Sequence, residues 1–260
     1  MTNVNFLAPI GRMFIRFLAA VGRLALFVWA AVSGILRKPF YTKMLFKQLM
    51  ELGYYSLPVV GMTALFTGAA LALQTYNGFS RFSAESSIAI VVVLAITREL
   101  GPVMAGLMVA GRIGAAYAAE IGTMRVTEQI DALETLSTDP YKYLVLPRLI
   151  AGLTMLPILV LIGDILGVFG GYLVSVHDLH FAPIPYLKST TAYLETKDVI
   201  SGLVKASAFG FIVTLMGCYH GFHSKGGAQG VGAATTHAVV SSSILILLSN
   251  YVLTSLLFGK

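Results

Sequence analysis

Long apolar stretches alternate with short charged ones along this chain. Residues 54–76 (YYSLPVVGMTALFTGAALALQTY) and 238–258 carry no charge, 149–176 carry only Asp164, and 199–219 carry only Lys205. A hydrocarbon core takes about 20 helical residues at roughly 1.5 Å each, so each of the four is long enough to span. The stretch 86–122 is longer: as one straight helix it would reach about 55 Å. Gly101-Pro102 lies within it, and proline removes a backbone donor and disfavours helix in the residue before it, so a kink or break is expected there. The first forty residues follow a different pattern. At 100° per residue, Arg12, Arg16, Arg23 and Arg37 fall within about 60° of one another, while Phe14, Phe17, Leu18, Leu24, Phe27, Val28 and Trp29 occupy the other faces. This arrangement predicts a helix over about 8–38 lying in the membrane surface, polar side to the headgroups. The alternative is a first span that tolerates two arginines.

The expected fold is therefore an all-α membrane protein: five transmembrane helices, an N-terminal interfacial amphipathic helix and a short cytoplasmic helix near 124–138. It forms one domain over 1–260. Charge sets the orientation. Arg37, Lys38, Lys43 and Lys47 precede the first span, and Arg112, Arg125, Lys142 and Arg148 surround the segment 128–140. Basic flanks mark the cytoplasmic side, which places the N-terminus inside and Lys260 outside. With 57% hydrophobic residues, 12% charged and a mean hydropathy of +0.80, a soluble globule is excluded. The net charge of +6 is explained by the flanks and calls for no nucleic acid. Cys218 stands alone, so no internal disulfide forms, and the start of the chain does not read as a cleaved signal peptide. Small residues at Gly167 and Gly171, Gly217 and Gly221, and Gly106, Gly111 and Gly114 point to close helix packing.

Charges inside the spans are the candidate chemistry. Arg98 and Glu99 fall roughly 18–20 Å into the second span, where a charge is expensive and marks a functional site or a brace between helices. Asp198 and Lys205 share a face of the fourth span within about 20°, but stand about two turns apart, so they are not expected to pair. Glu99 is a candidate partner for Lys205; the alternative is a lysine that snorkels to the surface. Ser56, Thr63, Thr67 and Gln74 line one azimuth of the first span, and Ser243, Asn250 and Thr254 one of the fifth. Leu71, Phe79 and Phe82 are positioned to form an apolar wall. A cavity with apolar walls and a few central charges suits an amphiphile. The histidines at 177, 180, 220 and 223 read as solvated loop residues, and no metal site is expected. GGAQGVGAATT (226–236) reads as a glycine-rich connection and lacks the Gly-Lys-Ser/Thr ending of a phosphate-binding loop. No nucleophile–base set suggests catalysis, so any ATP hydrolysis must belong to another chain.

EQIDALETLSTDP (128–140) is acidic and amphipathic. Val126, Ile130, Leu133 and Leu136 share one face, and Glu128, Asp131 and Glu134 the other. It is a connector folded onto its own bundle or a helix presented to a cytoplasmic partner.

The run RELGPVMAGLMVAGRIGAAYAAEIGTMRVTEQIDAL (98–133) closely resembles the signature of MlaE/YrbE-type permeases, and the likeness extends over nearly all of the chain. It takes in SAESS at 83–87, the Asp139-Pro140 pair and the ATT near 233–236. The resemblance implies the membrane subunit of an ABC system that moves phospholipids or related lipids between the membranes of Gram-negative bacteria, seated in the inner membrane. It implies a homodimer, two ATPase subunits that hold the ATP and magnesium, and a periplasmic ring of MCE-domain lipid-binding proteins. It makes EQIDALE the coupling helix, with Glu128, Gln129, Asp131, Ala132, Leu133 and Glu134 as ATPase contacts. It also assigns a lipid cavity to Leu71, Phe79, Phe82, Arg98, Glu99, Asp198 and Lys205. Ala115 departs from the serine of many members. Two other classes fit the residues alone: an ion-coupled secondary carrier with the buried charges as a relay, and a structural anchor for a periplasmic complex.

Overall fold

The computed structural model describes residues 7–33, 41–79 and 87–259. Every described element is helical. The helices are α1 (Leu7–Ser33), α2 (Thr42–Leu52), α3 (Leu57–Phe79), α4 (Ile88–Ala95), α5 (Gly101–Val109), α6 (Ala115–Val126), α7 (Gln129–Thr135), α8 (Leu146–His177), α9 (Pro183–Tyr193), α10 (Thr196–Phe222) and α11 (Gly227–Phe258). Six described runs are long and apolar enough to cross a membrane, against the five expected. The additional one, Gly11–Ser33, belongs to α1.

The second span is not broken at Gly101-Pro102. α4, α5 and α6 form one run, Ile88–Val126, joined by π-helical turns at Ile96–Leu100 and Ala110–Gly114. A π-turn carries its hydrogen bonds one residue further than an α-turn. The chain therefore passes the proline, which lacks an N–H, without ending the helix. A third π-turn, Tyr141–Val145, leads into α8. The glycine-rich stretch expected as a connection is mostly helix: Gly226, at φ 89°, caps α11, which begins at Gly227. The short helix expected near 124–138 divides. Its first residues complete α6, and α7 itself spans seven residues, entered through Glu128 at φ 60° and left through Ser137 at φ 58°.

Backbone-to-backbone crossings hold the core. A Cβ on Gly68 of α3 would strike the carbonyl of Gly167 on α8, and one on Gly210 of α10 would strike that of Gly152, also on α8. α8 is thus clasped from two sides. Around these crossings lies a buried cluster of Leu52, Val60, Val109, Ile113, Tyr117, Leu156, Phe209, Val213 and Ile246. α1 joins the bundle only by its second half. Phe27 is buried among Tyr141, Tyr219 and Phe222, whereas Met13, Phe14 and Ile15 are exposed. α1 therefore leans on the end of the bundle where α8 begins and α10 stops.

Candidate functional site

At the opposite end, where α4 and α10 begin, four charges close on one another. The π-turn Ile96–Leu100 carries Arg98 and Glu99, and α10 carries Asp198 in its first turn and Lys205 about two turns later. They do not neutralise within each helix but across the two. Arg98 meets Asp198 at 2.7 Å through both Nε and Nη2, and Lys205 Nζ meets Glu99 Oε1 at 2.7 Å.

Pro102 explains where the lysine sits. In an α-helix the carbonyl of Arg98 would accept from the N–H of residue 102, and proline has none. Lys205 Nζ donates to that carbonyl at 2.8 Å, as well as to Glu99 Oε1 and to Thr254 Oγ1 at 2.7 Å. Its three protons thus have three acceptors. Glu99 also accepts from Asn250 Nδ2 at 2.9 Å and faces the Thr254 hydroxyl at 3.0 Å. Asp198 also works locally, accepting from the Glu195 N–H to complete a capping box at the start of α10. The Phe258 ring lies 4.8 Å from the Arg98 guanidinium and 5.4 Å from Lys197 Nζ, contacts in the cation–π range.

Exposure divides the four. Lys205 is fully buried and Asp198 is 1% exposed, so the lysine does not snorkel. Arg98 and Glu99 keep 36% of their side chains open. The cluster therefore presents one cation and one anion outward, each anchored from behind by its counter-charge. Asp198 stands in the first turn of α10 and Lys205 about two turns further in, so the cluster reaches from the α10-start end towards the interior of the bundle. Two of the three polar residues expected on one face of α11 serve this cluster. Asn250 and Thr254 are its hydrogen-bond partners, while Ser243 bonds only its own helix, at the carbonyl of Val239.

Leu71 and Phe79, two of the three residues expected in the apolar wall, pack into one cluster with Ala72, Ile88, Val92, Ile96 and Phe181, against α4, α8 and the segment before α9. The charges instead meet α10 and α11. Within one copy of the chain these two groups belong to different packing sets. Phe82 lies outside the described residues. Asp164, the charge in 149–176, is buried against Gly101, and its Oδ1 has no partner among the described residues.

A second polar cluster at the α8-start end was not anticipated. Arg148 is fully buried, bonded to the Leu144 carbonyl at 2.7 Å and Glu120 Oε2 at 2.6 Å, with Tyr117 beneath its guanidinium at 5.1 Å. Arg112 donates from Nη1 to Ser56 Oγ at 2.7 Å and to the Glu51 carbonyl at 3.3 Å. In sequence Arg148 looks like an ordinary basic flank; only a carboxylate among the alanines before α7 hinted at a partner. His220 also departs from the expected solvated loop. It is half-buried within α10, with Nε2 3.1 Å from Ser241 Oγ.

α7 turns its acidic face outward. Glu128, Gln129, Asp131, Ala132 and Glu134 are exposed, Leu133 is half-buried and Ile130 is fully buried. Arg125 pins Asp131 at 2.6 Å and ties α7 back to α6. Leu136, placed by the pattern on one face with Ile130, is 75% exposed, and the helix ends one residue before it.

The family described as Permease MlaE matches residues 45–256. A probable ABC transporter permease protein of Rickettsia felis is 63% identical over 255 residues, covering 98% of each chain. The intermembrane phospholipid transport system permease protein MlaE of Haemophilus influenzae is 35% identical over 263 residues, again 98% of each. Similarity reaches a chloroplast protein of Arabidopsis thaliana, TRIGALACTOSYLDIACYLGLYCEROL 1. It is 38% identical over 227 residues, 87% of this chain and 65% of that one.

Proposed function

This chain belongs to the MlaE permease family of ABC transporter permeases, and on that premise we propose that it moves phospholipids or related lipids across or out of the bacterial inner membrane. It would work as a homodimer driven by a separate ATPase chain, handing lipid to a periplasmic MCE-domain carrier. The observation that carries the reading is the Arg98–Asp198 and Glu99–Lys205 lattice. It offers an open cation and an open anion, each held by a buried partner, between largely apolar helices. A phospholipid needs that combination: apolar surroundings for its chains and fixed charges for its phosphate and headgroup.

The route from ATP to lipid runs along one helix. The ATPase would seat on α7 through Glu128, Gln129, Asp131, Ala132, Leu133 and Glu134, with exposed Leu136 as an apolar contact. α7 is joined to α6 by two residues and by the Arg125–Asp131 pair. From α6 the run continues without a break to Arg98 and Glu99, so motion of α7 reaches the lattice through two π-turns, the places where such a helix yields most readily. Shifting the lattice against α10 would open Arg98 to a phosphate or close it. ATP and magnesium stay on the partner, and this chain supplies position and charge.

Reconstitution tests the reading. Proteoliposomes with this chain, the ATPase and the carrier should move fluorescent phospholipid only with ATP. Transport by the purified chain alone under an ion gradient would replace the reading with a secondary carrier. Unchanged transport after joint neutralisation of Arg98, Glu99 and Lys205 would reduce the chain to an anchor.

A further inference from the structure

The second polar cluster borders a cavity of about 550 Å³ lined by Lys47, Met50, Glu51, Tyr55, Arg112 and Glu120. We propose that this cavity holds the headgroup of a zwitterionic phospholipid, with the phosphate between Lys47 and Arg112 and the ammonium facing Glu51 and Glu120. The proposal rests on the membrane-spanning reading of the fold and not on lipid being the cargo.

Position comes first. Arg112 stands about 36 Å along its helix from Ile88, beyond the roughly 30 Å of a hydrocarbon core and so at headgroup depth. Tyr54 and Tyr55 mark the same level: they occupy the short turn between α2 and α3 and are exposed. Tyrosines gather where the bilayer meets water.

The charges come second. Four ionisable groups of both signs line the cavity, two basic and two acidic. Among the described residues neither Lys47 nor Glu51 makes an ion pair, and Arg112 is fixed by one nitrogen to Ser56 while the residue still lines the cavity. Glu120 spends Oε2 on Arg148 and stays 39% exposed. An anionic lipid would bring a phosphate but nothing for the two carboxylates. A zwitterionic headgroup answers both signs, and charged pockets between helices at this depth are suited to headgroups. The flank formed by Met50 and Tyr55 is apolar enough to pass the first carbons of the chains outward.

The test uses the full chain in nanodiscs, with any ATPase that co-purifies. Phosphatidylethanolamine, phosphatidylglycerol and diacylglycerol are compared, each with a photoreactive group near the glycerol, and adducts are mapped by peptide mass spectrometry. Phosphatidylethanolamine should label the Met50–Tyr55 peptide about fivefold more than either other lipid, the equivalent of one ordinary net hydrogen bond. Lys47→Gln should erase the preference over diacylglycerol and Glu51→Gln the preference over phosphatidylglycerol, and Lys47→Arg should keep both, at unchanged melting temperatures. Equal labelling by the three lipids, a preference for phosphatidylglycerol, or glutamine variants that label as wild type would overturn the site. Should the glutamine variants fail to fold, the ranking of the three lipids on the unaltered chain decides. ATP-driven transport is scored separately, so loss of this site and loss of the transport reading remain distinct outcomes.

Discussion

Lys205 Nζ lies 2.8 Å from the carbonyl oxygen of Arg98, the acceptor that in an α-helix would face Pro102, which has no N–H. A side chain from α10 therefore donates to the main chain of another helix while its charge neutralises Glu99. The two roles can be separated. Lys205→Met should destabilise the fold by about 3 kcal/mol, since it strands a carboxylate and a carbonyl together. In a Pro102→Ala background the helix can supply its own N–H, and the same change should cost measurably less. Thermal unfolding of the four variants in one detergent gives the coupling; a coupling of zero would mean the carbonyl contact contributes nothing.

Arg98 and Asp198 form the outer pair of the lattice. Asp198→Arg alone should abolish ATP-driven lipid transport and uncap α10, whereas Arg98→Asp combined with Asp198→Arg should recover the pair but not the capping bond from Glu195. Partial rescue is expected, with stability about 1 kcal/mol below wild type for the lost cap. Complete rescue of stability would show that the capping bond carries no weight.

Leu136 and Ile130 are both apolar residues of the α7 region, yet one is exposed and the other buried. Leu136→Glu should leave the unfolding free energy within about 0.5 kcal/mol of wild type while sharply lowering the amount of ATPase recovered with the chain. Ile130→Asp should unfold the segment outright. Retention of the ATPase by Leu136→Glu would remove this residue from the docking surface.

Helix crossings give a prediction independent of function. Gly210→Ala puts a methyl group into the Gly152 carbonyl, while Gly111 has open space around it. The first should cost about 2 kcal/mol or more, as overpacking does, and Gly111→Ala should be neutral or slightly stabilising through better helix propensity. Equal behaviour of the two would contradict the α8–α10 contact.

The comparison of sequence with structure divides along the same lines. Arg98, Glu99, Asp198 and Lys205 were legible because charges in apolar spans stand out, and the common face of Asp198 and Lys205 followed from helical period. Glu99 was also named beforehand as a candidate partner for Lys205. The pairing of Arg98 with Asp198 was not legible, since it depends on which helices touch. Nor were the π-turns: Pro102 announces a missing donor, but not whether the helix ends or widens around it. The stretch after Gly226 misled because glycine is read as a loop former in water. Beside a membrane, helix satisfies backbone groups that nothing else would. Arg148 escaped notice because a buried arginine and a flanking one look alike until the fold places Tyr117 and Glu120 around it.

The bond between Lys205 and Arg98 also joins positions 107 residues apart, and this has a consequence in time. During synthesis the helix bearing Arg98, Glu99 and Pro102 reaches the bilayer well before α10 has been made. Until then its two charges lack their counter-ions, in a medium where each unsatisfied group costs several kcal/mol. A chain truncated after Tyr193 should accordingly be cleared by membrane proteases faster than one extended through Phe222, as a pulse–chase would register. The helical run Ile88–Val126 is in this sense a provisional structure, made permanent only when α10 arrives.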